Sequence, residues 1–398
     1  MKKLFCVLVT TLAIILLALP FNPVAAQTEE DNTGLADAQL ISDTSGVLVT
    51  FYNPPGSAEV DLIESLGGTV EEVYKIVPTI HAIMPPENLV TLAADPRVKL
   101  IEPNLTIIDS ATGQVLPWGV DRIDADLVHP TNKGTGIKVA VLDTGIDLDH
   151  PDLNVAGNVT FVEGTTTGDD DNGHGTLVAG IMGARDNDIG VIGVAPEATL
   201  YAVKVLDSDG SGIMSVLLSG IEWSVNNNMQ VMNIGGGSVM NWPTTVRNAL
   251  TKAYVAGIAI FGGAGNGGTP DGQGENIWAP GRYDSVIAVG ATDENNVRLS
   301  TSSTGSQLEL MAPGNNIYST AMGGGYGYIG QTSASSAHAA GTAALLMKAG
   351  MTSNANVRQT LKDSATDVGA PGWDSQYGWG LMQTHYIMHN VLIFLADQ

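Results

Sequence analysis

The chain has 398 residues, with 17 Lys or Arg against 41 Asp or Glu, a formal net charge of −24. Its 48 glycines, low aromatic content (6%) and 44% hydrophobic residues suit a globular α/β enzyme, with room for one large or two ordinary domains, rather than a disordered chain. So acidic a surface argues against nucleic acid and anionic membrane as partners and favours divalent cations.

Lys2 and Lys3 precede an apolar run from Leu4 to Leu19, and Val24-Ala25-Ala26 supplies the small residues a signal peptidase needs. Residues 1–26 read as a secretory signal cut after Ala26, because the run is short for a membrane span. The product is expected outside the cell, without stable membrane association. The one cysteine, Cys6, lies in that run, so the exported chain would carry no disulfide, and a core of this size does not need one. Residues 27–45 are polar and acidic and read as a flexible segment. The acidity runs through the whole chain: residues 27–112 hold 3 basic and 14 acidic side chains, residues 113–398 hold 12 and 27.

Residues 46–109 form a small unit by pattern. Strands are expected at 46–52, 70–76, 80–84 and 98–102, with helices at 59–66 and 86–94. This β-α-β-β-α-β order is that of a ferredoxin-like α+β domain. Residues 110–116 read as an exposed linker, and 117–398 as one further domain. There, continuous apolar runs at 137–142, 200–205, 231–234, 258–261 and 286–289 alternate with helical stretches at 175–183, 213–226 and 244–256. Such alternation predicts a doubly wound, mostly parallel sheet with helices on both faces. Ligands of such sheets bind beyond the carboxyl ends of the strands.

Three short motifs carry the chemistry. Asp143-Thr144-Gly145 ends a buried strand, where a carboxylate can hold one imidazole tautomer. His174 lies between Gly173 and Gly175 just before an apolar helix, which leaves its ring uncrowded. Ser333 opens a small-residue helix over 334–346, with its hydroxyl exposed and its N–H at the positive end of the dipole. Asp, His and Ser in this order suit a base-orienting carboxylate, a general base and a nucleophile. Asn266, in Gly263-Ala264-Gly265-Asn266-Gly267 after another strand, suits an oxyanion donor, whose loss typically costs about 2.7–4 kcal/mol. An aspartic protease would need a second Asp-Thr-Gly, and none exists. His174 has no second His at ligand spacing, and His150 and His338 read as structural.

These motifs, with Pro117-Trp118-Gly119-Val120-Asp121-Arg122-Ile123, His150-Pro151-Asp152-Leu153, Gly190-Val191-Ile192-Gly193-Val194-Ala195-Pro196 and Met311-Ala312-Pro313-Gly314, make residues 113–385 resemble the subtilisin family of serine proteases. Residues 46–109 resemble that family's inhibitory propeptide. The resemblance implies Asp143, His174 and Ser333 as the triad, with Asn266 in the oxyanion hole. It implies protein or peptide substrates, the chain's own propeptide as intramolecular inhibitor and folding aid, self-maturation by propeptide removal, and a monomer. An extended peptide would pair near Gly235-Gly236-Gly237. A specificity pocket would form around Gly263 and Gly265 and the stretch before Ala279, where Trp278 would narrow its floor. A structural Ca²⁺ is implied on Gln114, Asp152, Arg185, Asn187, Ile189 and Val191, an oxygen-only set of carboxylate, carboxamides and carbonyls. Asp169-Asp170-Asp171 reads either as a solvated loop or as a second ion site.

The sequence departs from the family at Gln331, where a glycine is usual, at Ala337, where a proline is usual, and at Gly235–Gly237. Ala334 removes an oxidisable methionine beside the nucleophile, which implies resistance to peroxide. Gln331 and the glycine run also support an alternative, a catalytically impaired extracellular binding or structural protein that keeps the fold.

Overall fold

A computed structural model describes residues 46–85, 88–104 and 113–385. The expected signal, the acidic segment 27–45, most of the linker and the tail after residue 385 lie outside the described residues. The chain divides into two compact units, with the boundary between residues 108 and 109.

In the first unit, β1 (Val47–Phe51), α1 (Ser57–Ser65), β2 (Thr69–Val73), β3 (Thr79–Ile83), α2 (Leu89–Ala93) and β4 (Val98–Pro103) follow in the expected order. The sheet order is β2-β3-β1-β4, with every neighbouring pair antiparallel. β1 and β2 are thus separated by β3, as in a split βαβ arrangement. The alternating burial of β1 turns Val47, Val49 and Phe51 onto Ile63, Ile80, Leu92 and Ile101, and these form the unit's own core.

The second unit is built on β5 (Lys138–Asp143), β6 (Val155–Thr160), β7 (Thr199–Lys204), β8 (Val231–Ile234), β9 (Ala259–Gly263), β10 (Ile287–Thr292) and β11 (Leu308–Pro313). Their order is β11-β10-β9-β8-β5-β7-β6, and all six pairings are parallel. β5, β8 and β10 are buried along nearly their whole length, which explains their unbroken apolar runs. One core packs α4 (His174–Gly183) and α7 (Gln331–Lys348) on one face; a second packs α5 (Met214–Asn226) and α6 (Thr244–Val255) on the other. α7 is buried from Ala334 to Met347, so it is made of small residues on every side, as a helix enclosed by its neighbours must be. A short α3 (Trp118–Arg122), an antiparallel hairpin of β12 (Ile317–Ala321) and β13 (Gly325–Ile329), and α8 (Asn354–Asp363) complete the described unit.

From β5 the chain moves to β7 and β6 on one side, and then to β8 through β11 on the other. The order therefore reverses between β5 and β8, whose carboxyl ends lie side by side with Leu142 opposite Ile234. A doubly wound sheet forms its ligand crevice at such a switch point. The residue after Leu142 is Asp143.

Candidate active site

Asp143 is fully buried at the end of β5. Its Oδ1 accepts the Thr144 N–H at 2.7 Å and lies 2.8 Å from His174 Nδ1, while Oδ2 lies 3.0 Å from the same nitrogen. Nδ1 is therefore the protonated nitrogen of a neutral ring, and Nε2 is left free as a base. The Asp143 charge, with a further contribution from Asp170, outweighs burial and holds His174 above its ordinary pKa of 6.5. The ring is 31% exposed, so its open edge can meet a substrate.

The surrounding motif residues follow from how closely β5 and α4 approach. A Cβ on Gly175 would lie 2.0 Å from the Gly145 carbonyl oxygen and 3.1 Å from Asp143 Cβ. Gly145 and Gly173 sit at φ +114° and +107°, backbone open to glycine. The Thr144 hydroxyl accepts the Gly175 N–H at 3.0 Å and donates to Asp170 Oδ1 at 2.8 Å. Asp170 also accepts from the N–H groups of Asn172, Gly173 and Thr176 and from the Thr176 hydroxyl. Burial raises its pKa, but these donors outweigh burial and leave it below 3.8. Asp171 is paired with the buried Lys204 ammonium, and Asp169 accepts the Leu148 N–H at 3.1 Å. Asp170 is thus buried and fully engaged, while Asp169 and Asp171 stay exposed on the same loop. Asp170 and Lys204 are site-building residues that the sequence reading missed. The signal available for Asp170 was its place four residues before His174, in an otherwise polar loop.

Ser333 is half-buried in the first turn of α7. Among the described residues no hydrogen bond joins it to His174, a looseness common before substrate binds. Gln331, which opens the helix, holds φ +62°, the left-handed conformation that favours glycine. The substitution noted in the sequence thus keeps a glycine-type turn. Asn266 Oδ1 accepts from the Thr332 hydroxyl at 2.9 Å and the Thr332 N–H at 3.3 Å. The Gly265 N–H donates to the same hydroxyl at 3.3 Å. With its oxygen so fixed, Asn266 presents its NH₂ as the free end. A Cβ on Gly263 would lie 2.6 Å from Thr332 Oγ1, so that glycine makes room for this anchor. Thr332 too was missed as a functional residue.

Gly235 extends β8 and donates its N–H to Leu142 O at 3.0 Å. It lies against Asp143, whereas Gly236 and Gly237 border a groove of about 320 Å³ lined by Leu206, Ile213, Met214, Leu217, Ile234 and Trp242. Gly265, at φ +106°, and Gly237 both face the Trp278 indole.

Apart from these, Gln114 reaches across to Arg185 O, and its Nε2 lies 3.0 Å from Val191 O. Asp152 is fully buried; Oδ2 accepts the Val191 N–H at 2.9 Å, and among the described residues Oδ1 has no hydrogen-bond partner, while burial raises the carboxyl's pKa and the nearby Asn187 and Tyr326 side chains counter that in part. Asn187 Oδ1 accepts the Ile189 N–H at 3.2 Å. The described residues hold no group of three or more His, Cys, Asp or Glu suited to a metal. A set with one carboxylate, carboxamides and carbonyls is of a different kind: the Arg185 and Val191 carbonyls converge on the Gln114 amide, and with that amide turned oxygen-inward they would join the Asp152 carboxylate in an all-oxygen set of the kind a hard cation takes. His150 donates from Nε2 to Gly325 O at 2.8 Å and accepts the Asp152 N–H on Nδ1. His338 is enclosed in α7, bonded to Ala334 O, and burial pushes it down to about 4. Both play structural parts.

The model of the Subtilase family matches residues 134–380. The chain belongs to the subtilase family. It is 42% identical over 325 residues to Subtilisin E of Bacillus subtilis (strain 168), covering 81% of this chain and 84% of that protein. It is 41% identical over 353 residues to a thermostable alkaline protease of Halalkalibacterium halodurans, covering 84% and 94%, and 41% identical over 311 residues to an alkaline protease of Alkalihalobacillus alcalophilus, covering 78% and 79%. This subtilase is a serine endopeptidase. No helix among its described residues is long and apolar enough to cross a membrane.

Proposed function

We propose that the endopeptidase works through Asp143, His174 and Ser333 by way of an acyl-enzyme. The observation that carries this reading is the bond from His174 Nδ1 to the buried Asp143 carboxylate at 2.8 Å, which leaves Nε2 as the basic nitrogen. Ser333 Oγ attacks the peptide carbonyl carbon while its proton passes to His174 Nε2. The oxyanion is held by Asn266 Nδ2 and the Ser333 N–H. Collapse breaks the C–N bond, and His174 returns the proton to the leaving amine. Water, deprotonated by the same nitrogen, then releases the acyl group. The substrate lies extended along Gly235–Gly237, with an alternate side chain in the apolar groove beside Gly236.

The rest of the proposal is biological setting. The chain is exported through residues 1–26, and residues 46–109 act as an inhibitory propeptide that the protease removes from itself. The segment around 110–116 is where cutting occurs, and the mature protein is an extracellular monomer. Ca²⁺ is held by Gln114, Asp152, Asn187 and the carbonyls of Arg185, Ile189 and Val191. Its role is to neutralise the Asp152 carboxylate and tie residues 185–191 to the segment at Gln114.

The test is to incubate the purified full chain with calcium beside a Ser333→Ala variant and follow mass and labelling by a fluorophosphonate. Loss of roughly the first 112 residues and labelling in wild type alone support the reading. A folded wild-type chain that is neither cut nor labelled would overturn the Ser333 assignment and favour the impaired-site alternative.

A further inference from the structure

Asp147 stands four residues after Asp143, on the loop that leaves β5, and is only 9% exposed. The proposed reaction does not use it. Its backbone N–H donates at 2.9 Å to the hydroxyl of Thr176, in the first turn of α4 just after His174. Its carboxylate reaches the β12–β13 hairpin. Oδ1 accepts the Asp149 N–H at 3.1 Å, and Oδ2 accepts two further N–H groups, from Gly323 at 2.8 Å and Gly324 at 3.0 Å. These two glycines make the hairpin's turn at φ +85° and +74°, left-handed conformations open to glycine, and both N–H groups converge on the one oxygen. Met322 opens the turn, with its Cβ 4.0 Å from where a Cβ on Gly173 would lie. After the turn, β13 runs through Gly330 into α7 and Ser333.

Because no hydrogen bond joins Ser333 to His174 among the described residues, their separation is set by the elements that carry them. Packing of α4 and α7 in one core fixes the two helices. The hairpin fixes the chain just before Ser333, and side chains tie it to the His174 segment. His150 Nε2 donates to Gly325 O at 2.8 Å, the Thr320 hydroxyl to Thr176 O at 2.8 Å, and the Ser319 hydroxyl to Leu177 O at 2.7 Å. Asp147 supplies the anionic acceptor among these ties, and bonds to a charged acceptor are roughly twice as strong as neutral ones. Without it, two N–H groups at the tip of the turn lose their partner, and the turn must shift to regain one. The charges that hold His174 above its ordinary pKa are those of Asp143 and Asp170, not of Asp147. We propose that Asp147 is a positioning residue: by holding the turn at 322–325 it sets where Ser333 stands relative to His174. The inference rests on the triad proposed above.

The experiment compares the full chain with Asp147→Ala, Asp147→Asn and Asp147→Glu, each incubated with calcium until its mass is constant. Three quantities are read: kcat and KM on a peptide p-nitroanilide, the pH profile, and the rate of labelling by a fluorophosphonate per folded molecule. Asp147→Asn keeps an oxygen for the turn and drops the charge. Asp147→Glu keeps the charge but, one methylene longer in a buried place, displaces the turn. A misplacement of about 1 Å can cost about 100-fold, so kcat and labelling rate should fall together by at least about tenfold in Asp147→Ala and Asp147→Glu. KM and the acid limb should stay close to wild type, and Asp147→Asn should recover most of the loss. A lower melting midpoint with kcat and labelling rate unchanged would make Asp147 merely structural and overturn the proposal. So would Asp147→Asn as slow as Asp147→Ala, or an acid limb that moves, since either means that charge and not geometry matters. If Asp147→Ala does not fold, Asp147→Glu decides the same question. Wild type that escapes labelling sinks the Ser333 assignment and the inference with it; labelled wild type beside variants of equal rate sinks the Asp147 inference alone.

Discussion

A Cβ placed on Gly235 would lie 1.7 Å from Asp143 Oδ2 and 2.5 Å from its Cγ. The first glycine of the 235–237 run therefore shapes the carboxylate's chamber. The end of β8 is pressed against the end of β5 at the switch point of the sheet, and only a missing side chain lets the buried carboxylate keep its place. Gly235→Ala must displace either the β8 terminus or Asp143, and kcat should fall by at least about tenfold, as small misplacements of catalytic groups do. Gly236→Ala separates the two effects: its Cβ would meet Leu206 at 3.5 Å, an ordinary contact that leaves Asp143 in place, so it should act on KM through the substrate groove and leave kcat close to wild type. Equal losses in both variants would show that the run acts through backbone flexibility instead.

The raised pKa of His174 predicts opposite pH dependences for activity and for stability. As the proposed general base, His174 must be neutral, so kcat/KM should decline as pH falls through a value above 6.5. Because the folded pKa lies above the unfolded one, the Asp143–His174 pair contributes its stability fully below pH 6.5 and loses it as pH rises through the folded value. Asp143→Asn removes the largest cause of the shift. It should shift the acid limb to lower pH and cut kcat by about 10⁴-fold. Activity profiles would check the first statement, and melting of Ser333→Ala across pH the second. An acid limb unmoved in Asp143→Asn would assign it to another group.

Asp170 offers two carboxylate oxygens to five donors from Thr144, Asn172, Gly173 and Thr176. Asp170→Asn turns one acceptor into a donor facing buried N–H or O–H groups. Each group left unpaired costs about 1–3 kcal/mol, so a loss of about 2–4 kcal/mol is expected, with lower kcat because the turn that presents His174 loosens. With its folded pKa depressed, Asp170 contributes stability above about pH 3.8 that is lost as pH falls through the lower folded value. Denaturant titration near pH 6 and pH 3 should show the variant's deficit shrinking at the lower pH.

The sheet was legible because β5, β7, β8, β9 and β10 are buried on both faces and so spell continuous apolar runs. β6 was not, because it lies at the sheet edge and its Val155–Thr160 mixes exposed and half-buried residues. β12 and β13 were not, because Gly325–Ile329 is glycine-rich and only partly buried. In the site, Asp143, His174, Ser333 and Asn266 stand in short motifs with unusual spacing. The residues that hold them, Thr144, Asp170, Lys204 and Thr332, act through contacts between segments far apart in sequence. Thr332 touches Asn266 across 66 residues, and no local pattern encodes that. Gly235 was noticed as a departure, but its proximity to Asp143 depends on strand register.

Gln331 tests how far a departure from the family matters. At φ +62° an L-residue carries a cost of about 1–2 kcal/mol that glycine does not. Glycine also loosens the unfolded chain, which offsets roughly half of that gain. Gln331→Gly should therefore stabilise the protein by about 0.5–1 kcal/mol and raise the melting midpoint by roughly 2 °C. The comparison is best made in a Ser333→Ala background, where self-digestion cannot distort the melt. A lower midpoint in the glycine variant would mean that the exposed Gln331 side chain makes contacts worth more than the strain.

The orphaned Asp152 Oδ1 makes calcium dependence a sharp prediction. A buried carboxylate with one oxygen unpartnered is costly, and a cation shared with Gln114 and the carbonyls of Arg185 and Val191 would offset that cost. Binding to the folded state alone stabilises it by about 2.7 kcal/mol at a free ion concentration of 100 times Kd. Chelation should therefore lower the melting midpoint of wild type by several degrees, and excess calcium should restore it while magnesium, which demands a tighter octahedral shell, should not. Asp152→Asn should melt near the chelated wild type and respond little to either ion. It keeps an acceptor for the Val191 N–H, so its kcat at low temperature should stay close to wild type. A variant that loses stability yet retains the full calcium response would locate the ion elsewhere, and the 185–191 loop would then owe its shape to protein hydrogen bonds alone.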